Sequence, residues 1–328
     1  MSERLILITG GAGFIGSHAC DSFLADGWTV RCFDNFATGN RENVSHLQHD
    51  GRFELVEGDI RDEAAVRAAM QGITAVVHLA ALGSVPRSIA DPLTTHQVNL
   101  EGFLQVIEQA RHAGVRRFVY ASSSSVYGDS PDLPKREERI GAPLSPYAIT
   151  KHGNELYARI YHGTHGLETI GLRFFNVFGE RQDPEGPYAA AIPRFIKALQ
   201  AHRSPVVFGD GRQSRDFTYV GNVTAALVAA IRCDDRRAFG EVFNVAFGSR
   251  TFLVDLLDAI RDTLAVHDPA ILGIAAEHAP ERQGDIRDSH ADVSKARAIL
   301  GYAPVVDLRE GLRRAVPWYV AHWATAGS

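Results

Sequence analysis

The stretch LILITGGAGFIGSH (5–18) constrains the fold more than any other part of the chain. Five strand-like residues lead into glycines at 10, 13 and 16, and helix-period apolar residues follow. A glycine run by itself is as easily a plain loop. Set between a buried strand and a helix, it reads as GxxGxxG, a variant of the dinucleotide fingerprint. Its glycines allow the tight turn, close approach to a pyrophosphate and helix–sheet packing, with the helix N-terminus facing the anion. Asp34 closes the next apolar run, TVRCF (29–33), near the spacing of roughly 20 residues expected of an acid that binds an adenosine ribose. Such an acid accepts from both ribose hydroxyls and repels a 2′-phosphate. Asn35 follows it rather than an arginine, so NAD is favoured over NADP.

Further apolar runs at 53–58, 75–81, 117–123 and 168–175 alternate with helix-period segments at 14–26, 62–71 and 92–113, and a long helix begins near Pro146. Strands alternating with helices give βαβ units and a parallel sheet. Past Asn176 the texture changes. GERQDPEGPY (179–188) is a polar loop, and 206–220 carries a turn signal at Asp210-Gly211. A helix at 221–232 precedes a strand at 241–246 that could return to the first sheet, and the tail (252–324) is mostly helical with a loop at 278–290. The expected fold is α/β: a doubly wound parallel Rossmann-type sheet with a smaller, discontinuous C-terminal α/β substrate lobe. Its boundaries are 1–175 and 218–247 for the dinucleotide part, and 176–217 and 248–328 for the lobe.

Composition excludes several classes. A net charge of −5 leaves no electrostatic footprint for nucleic acid. No apolar run approaches the roughly 18 residues of a membrane span. The chain enters its first strand at once, with no signal peptide expected, and its three scattered cysteines have neither disulfide nor metal-ligand spacing. A cytoplasmic enzyme without a metal is expected.

LSPYAITK (144–151) places Tyr147 and Lys151 four apart after a proline, on one face of a helix. Most such pairs are merely a helix face. Here SSSS (122–125) ends a strand some twenty residues upstream, putting hydroxyls at the sheet edge where open α/β folds bind ligands. A phenol between an ammonium and an oxidised nicotinamide feels two positive charges. Both favour the phenolate, as a general base needs.

With these residues in place the sequence resembles the extended short-chain dehydrogenase/reductases, and within them the nucleotide-sugar 4-epimerases. GGAGFIG, DNFATG, GDIRD, HLAA, SSSSVYG, PYAITK and LRFFNVFG follow in the family's order over nearly the whole chain. The resemblance implies Ser123, Tyr147 and Lys151 as the catalytic set, with Tyr147 as base and Lys151 binding the nicotinamide ribose. For NAD it implies Gly10, Gly13, Phe14, Ile15, Gly16, Asp34, Asn35 and Gly39 at the pyrophosphate and adenosine. Asp59 and Ile60 flank adenine, Ala80 and Ala81 line the cofactor, and Asn99 holds one side of the cleft. His78 is read as a core histidine and Asp62 as a helix cap.

For the substrate, a UDP-sugar, the resemblance implies Asn176, Arg215 and Arg282 at the diphosphate and Asp285 at the uridine ribose. Ser123, Ser124, Ser125 and Tyr147 face the sugar, with Gly83 and Ser84 near C6. Arg87 is left between aiding that contact and packing outside. ALGSVPRS (81–88) and RQDPEGPYAAAIP (181–193) resemble the bacterial epimerases of N-acetylated UDP-hexoses and their uronic acids. Ser289 stands where UDP-glucose specialists tend to carry tyrosine, leaving room for an acetamido group. Alcohol and carboxylate at C6 both stay open. A plain UDP-glucose 4-epimerase is the next reading. A UDP-glucuronate decarboxylase or 4,6-dehydratase would want an acid where Ser124 and Ser125 stand, and a non-catalytic NAD sensor would be expected to lose the Ser–Tyr–Lys set. The resemblance also implies a homodimer through helices 92–113 and 146–165.

Overall fold

The computed structural model describes residues 4–183, 190–280 and 287–323. β1 (Leu5–Thr9), α1 (Phe14–Ala25), β2 (Thr29–Asp34), β3 (Phe53–Glu57), α2 (Glu63–Ala69) and β4 (Ala75–His78) form the first half of a doubly wound unit. α3 (Val85–Ala90), α4 (Pro92–His96), a π-turn (Gln97–Glu101) and α5 (Gly102–His112) follow, then β5 (Arg117–Ser123), α6 (Pro146–His165) and β6 (Glu168–Phe174). The remaining elements are β7 (Val177–Phe178), α7 (Ala191–Gln200), β8 (Val206–Phe208), β9 (Ser214–Arg215), β10 (Thr218–Tyr219), α8 (Val220–Arg232) and β11 (Glu241–Val245). β12 (Thr251–Phe252), α9 (Leu253–Leu264), β13 (Glu277–Ala279), α10 (Ser294–Leu300) and α11 (Leu308–Trp323) complete the chain.

Seven parallel strands lie in the order β11-β6-β5-β4-β1-β2-β3. The order reverses between β1 and β4, the crevice where doubly wound sheets take their ligand. Both faces of such a sheet are covered, so its inner strands β1, β4 and β5 are buried almost throughout rather than alternating, while the edge strand β3 keeps Glu54 and Glu57 exposed. Ile6, Leu7 and Ile8 of β1 are all fully buried. One face packs on α1, α8 and α10 through Ile8, Phe23, Leu227 and Phe243, the other on α2, α5 and α6 through Leu7, Val76, Phe103 and Phe118. A third apolar cluster, away from the sheet, joins α7, α9 and α11 through Ile196, Leu256 and Leu312.

Local chemistry fixes the ends of these elements. Ser145 caps α6 by accepting the Ala148 N–H at 3.1 Å, Pro146 opens its first turn, and Gly166 ends it in the left-handed region at φ +72°. Asp62 caps α2, accepting from Ala64 and Ala65. Two segments differ from expectation. β4 stops at His78, not residue 81, because β1 has ended at Thr9; beyond it the Leu79 N–H still donates to Thr9 O at 3.0 Å and the Ala80 N–H to the Thr9 hydroxyl at 3.4 Å. The helix of 92–113 begins at Pro92 as expected but is broken by a π-turn at 97–101 into α4 and α5, and a separate short helix, α3, precedes it. Within the tail, β13 pairs in parallel with β8, a contact across some seventy residues that no local pattern announces. Among the described residues no helix is long and apolar enough to cross a membrane.

Candidate active site

At the C-terminal end of β1 the chain turns at Gly10 (φ +70°), whose N–H donates to Phe33 O at 2.8 Å. A Cβ on Gly10 would lie 2.7 Å from Ala80 N, and one on Gly16 would lie 2.0 Å from Gly10 O. Backbone therefore lies on backbone here, and only glycine fits. Gly13 begins α1 in an extended conformation with no side-chain cap. The first turn of α1 thus keeps N–H groups and the positive end of the helix dipole for an anion.

Asp34 is buried, its two oxygens accepting the Ala12 N–H at 2.9 Å and the Phe36 N–H at 2.8 Å. Burial pushes its pKa up, and these backbone donors hold it back. Gly39 closes on it: a Cβ there would sit 3.0 Å from both carboxylate oxygens. Asn35 donates to Asp59 at 3.0 Å, and Arg61 grips the same carboxylate at 2.7 Å, pulling it down to about 2. Ile60 is buried in the core beside α5, while Phe14 and Ile15 are half-buried at the start of α1. A glycine cradle, an uncapped helix and a pinned acid fit a dinucleotide.

On the opposite wall Ala80 and Ala81 are half-buried, and Asn99 clamps the next residue. Its Oδ1 accepts the Leu82 N–H at 2.7 Å and its amide donates to Leu82 O at 3.1 Å. Gly83 is exposed. Ser84 takes φ +115°, rare for a residue with a side chain, and caps α3 by accepting the Arg87 N–H at 3.3 Å. His78 is a core histidine, bonded to Thr9 at 2.9 Å and stacked on Phe118, its pKa pushed by burial down to about 3.

Ser123 ends β5. Its Oγ accepts the Ser125 N–H at 3.1 Å, and its hydroxyl acts on the Tyr147 phenol. Tyr147 keeps part of its surface open to the cleft. Enclosure of its hydroxyl raises the pKa, and the bond with Ser123 lowers it. Lys151 is buried one turn further along α6, its Nζ 5.9 Å from the Tyr147 ring centroid and donating to Ala121 O at 3.0 Å. Burial lowers the Lys151 pKa to about 8. Ser125 Oγ is buried with no partner, and Ser124 is half-buried beside it.

Asn176 follows β6 at φ +32° and donates to Asp216 O at 3.3 Å. It lines a pocket of about 260 Å³ with Arg215, Gln213, Phe195, Phe208 and Phe217. Ser289 is tied to β9 by its N–H to Ser214 O at 3.0 Å, and Asp288 beside it accepts from Ser214 and Arg250. Arg282 and Asp285 lie outside the described residues. No cluster of metal-ligating side chains occurs among the described residues.

Sequence reasoning missed what lies behind the site. Glu155 and Arg173 form a buried ion pair behind Lys151. Asn244 bonds Tyr127, Lys135 O and Asp292 O at 2.6, 2.9 and 3.0 Å. Asp216, pushed up to about 6 by burial, accepts from Gly248 and Ala291. Glu155 had one available signal: it stands four residues after Lys151, as Lys151 stands after Tyr147.

Glycine turn, pinned acid and phenol–lysine pair on one edge of a doubly wound sheet define a nicotinamide-dinucleotide enzyme of the short-chain dehydrogenase/reductase class. The profile of the NAD dependent epimerase/dehydratase family matches residues 6–246, and the chain belongs to that family, with NAD as its cofactor. It is 38% identical to a UDP-glucose 4-epimerase of Mycolicibacterium smegmatis, over 95% of this chain and 97% of that one. Among solved structures it is similar to a UDP-N-acetylglucosamine 4-epimerase from Methanobrevibacter ruminantium in complex with UDP-N-acetylmuramic acid. The TM-score is 0.90 at 37% identity, covering 98% of this chain and 99% of that one. A UDP-glucuronic acid 4-epimerase from Bacillus cereus with UDP-glucuronic acid and NAD gives a TM-score of 0.86 at 31% identity, covering 97% and 99%.

Proposed function

We propose that this NAD-dependent nucleotide-sugar 4-epimerase acts on an N-acetylated UDP-hexose, interconverting UDP-N-acetylglucosamine and UDP-N-acetylgalactosamine or the corresponding uronic acids. The observation that carries the reaction is the enclosed Tyr147 hydroxyl, paired with Ser123 and standing over buried Lys151. Support for the acetylated sugar comes from Ser289, a small side chain on a pinned backbone, and from the likeness to the Methanobrevibacter enzyme. The likeness to the Mycolicibacterium enzyme favours a second reading, UDP-glucose.

Bound NAD supplies an acceptor for the C4 hydride and a donor that returns it. Gly10, Gly13, Gly16 and the first turn of α1, with Phe14 and Ile15, would hold its pyrophosphate. Asp34, Asn35 and Gly39 would hold its ribose, and Asp59 and Ile60 its adenine. Ala80, Ala81 and Asn99 would wall the cleft, with Lys151 at the second ribose. Tyr147 takes the proton of the 4-hydroxyl at its phenol oxygen while Ser123 Oγ holds the same sugar oxygen, leaving a 4-keto sugar. Asn176, Arg215, Arg282 and Asp285 anchor the UDP half, so the ketone can turn about the diphosphate and present its other face. Ser124 and Ser125 border the turning ring, and Gly83 and Ser84 meet C6. Tyr147 then returns the proton. The division at 175/176, 217/218 and 247/248 into NAD and UDP-sugar parts belongs to this proposal. So does a homodimer, which the exposed apolar residues Leu93, Ile149, Leu156 and Ile160 on α4 and α6 support.

The test is proton NMR on enzyme given UDP-N-acetylglucosamine, its uronic acid or UDP-glucose in separate tubes with no NAD added. A new C4-epimer anomeric signal in the acetylated tubes is the expected result, and the faster tube identifies the C6 group. Turnover of UDP-glucose alone would refute the acetylated reading. Tyr147→Phe is expected to lower turnover by about 10²–10⁴-fold or more with NAD still bound; unchanged turnover would remove Tyr147 as base.

A further inference from the structure

Behind the phenol and the lysine lies a buried carboxylate that the proposed mechanism does not use. Tyr147, Lys151 and Glu155 follow one another at four-residue steps along α6, on the face turned to the end of β5. Glu155 is 8% exposed and Arg173, on β6, 3% exposed. The pair is bidentate, Nε to Oε1 and Nη2 to Oε2, both at 2.8 Å, and the Ser122 hydroxyl donates to Oε1 at 2.5 Å. Three donors from two strands thus fix one carboxylate a turn beyond the lysine. Ser122, one of the three, is the neighbour of Ser123.

An ion pair of this kind could be a staple between helix and sheet and nothing more, since buried pairs often contribute little net stability. Its surroundings give it a second consequence. Lys151 is enclosed and donates to an uncharged carbonyl, Ala121 O. From β4 it faces His78, held neutral by burial. β5 presents Tyr120, whose phenol burial pushes up, and the uncharged Ser122 and Ser123. From β6 it faces Arg173, whose guanidinium is committed to Glu155 and to Glu137 O at 3.0 Å. The helical segment of Asn99 contributes only uncharged partners around Thr150. Among the described residues, Glu155 is the anion that favours the lysine's charge, against the desolvation that disfavours it.

We infer that Glu155, locked by Arg173, is a positioning residue for the reaction: it keeps Lys151 protonated beside Tyr147, so that the phenolate retains its counter-cation at neutral pH. This rests on Tyr147 being the base. Burial already lowers the Lys151 pKa to about 8, and losing the neighbouring anion that raises it lowers it further. Tyr147 then deprotonates only at higher pH.

The test uses NAD-loaded enzyme and two readouts: the tyrosinate absorbance that Tyr147→Phe removes, and kcat and KM against pH. Glu155→Gln with Arg173→Gln removes both charges, leaving neither buried alone. The tyrosinate titration and the rising limb of kcat are expected to move up together by about one pH unit, with KM within about twofold. Glu155→Asp, which keeps the charge, should bring both back toward the wild type. Should the double variant not fold, Glu155→Met with Arg173→Leu, which replaces both charges by apolar side chains, tests the same loss and should move both by the same amount. Unchanged titration and limb, with only a lower melting temperature, would reduce Glu155 to a staple and overturn the inference. A wild-type enzyme lacking any tyrosinate signal that Tyr147→Phe abolishes would instead overturn the assignment of the base, and the inference with it.

Discussion

A Cβ on Gly16 meets Gly10 O and Gly11 Cα, backbone atoms with nowhere to go, whereas one on Gly13 comes no nearer than 3.2 Å to Gly10 O. Gly16→Ala is therefore expected to cost about 1–3 kcal/mol and to release bound NAD, and Gly13→Ala to cost less stability. Urea midpoints and the NAD recovered from denatured protein check both. His78 carries a prediction about acid. Its folded pKa lies near 3 against an unfolded value of about 6.5, so between these values the unfolded chain binds the extra proton. Stability should fall by a few kcal/mol as pH drops through that window, and His78→Gln should flatten the slope of the unfolding free energy against pH. The glycines and Asp34 were readable because each performs its task within one short stretch. Glu155, Arg173, Asn244 and Asp216 were not, because each is defined by partners on other elements, and an isolated glutamate or asparagine has no local pattern that separates a buried hub from a surface residue.

Elements are held to different standards. The core strands of the sheet could be found from sequence because burial on both faces makes them continuous apolar runs. β7, β9, β10 and β12 are two residues long, set by neighbours in space, and have no period to detect. The π-turn is likewise invisible as a pattern. It carries Asn99, whose amide spans both polar groups of Leu82 and so fixes the wall that Ala80 and Ala81 form. Asn99→Ala is expected to destabilise by about 1–3 kcal/mol and to raise KM, measured by urea unfolding and initial rates. On the outside of α6, Ile160 is 62% exposed in line with Leu156 and Ile149. Ile160→Asp should convert the proposed homodimer to monomer in sedimentation velocity, while a protein already monomeric would leave that face without its assigned partner.

For the whole molecule, ligand and fold are linked. Stripping NAD should lower the melting temperature, and adding it back at about 100 times its dissociation constant should restore about 2.7 kcal/mol. Ser123 and Asp34 end two strands, β5 and β2, and Tyr147 lies in the first turn of α6, the helix that joins β5 to β6, so the site is a product of topology and not of any one loop. The strands up to β6 and their parallel, doubly wound class were readable, though not their order, and the return of β11 was raised from a single apolar run. How the remaining helices pack was not, because their apolar faces fit many arrangements until the third cluster selects one.

β11 pairs with β6 along its whole length, yet some sixty-five residues separate them in the chain. During synthesis β6 leaves the ribosome long before its outer neighbour exists. The nascent protein must therefore hold an unfinished sheet, its open edge exposed, while residues 175–240 are being made. Whatever shields that edge in the cell acts before the cofactor fold is closed.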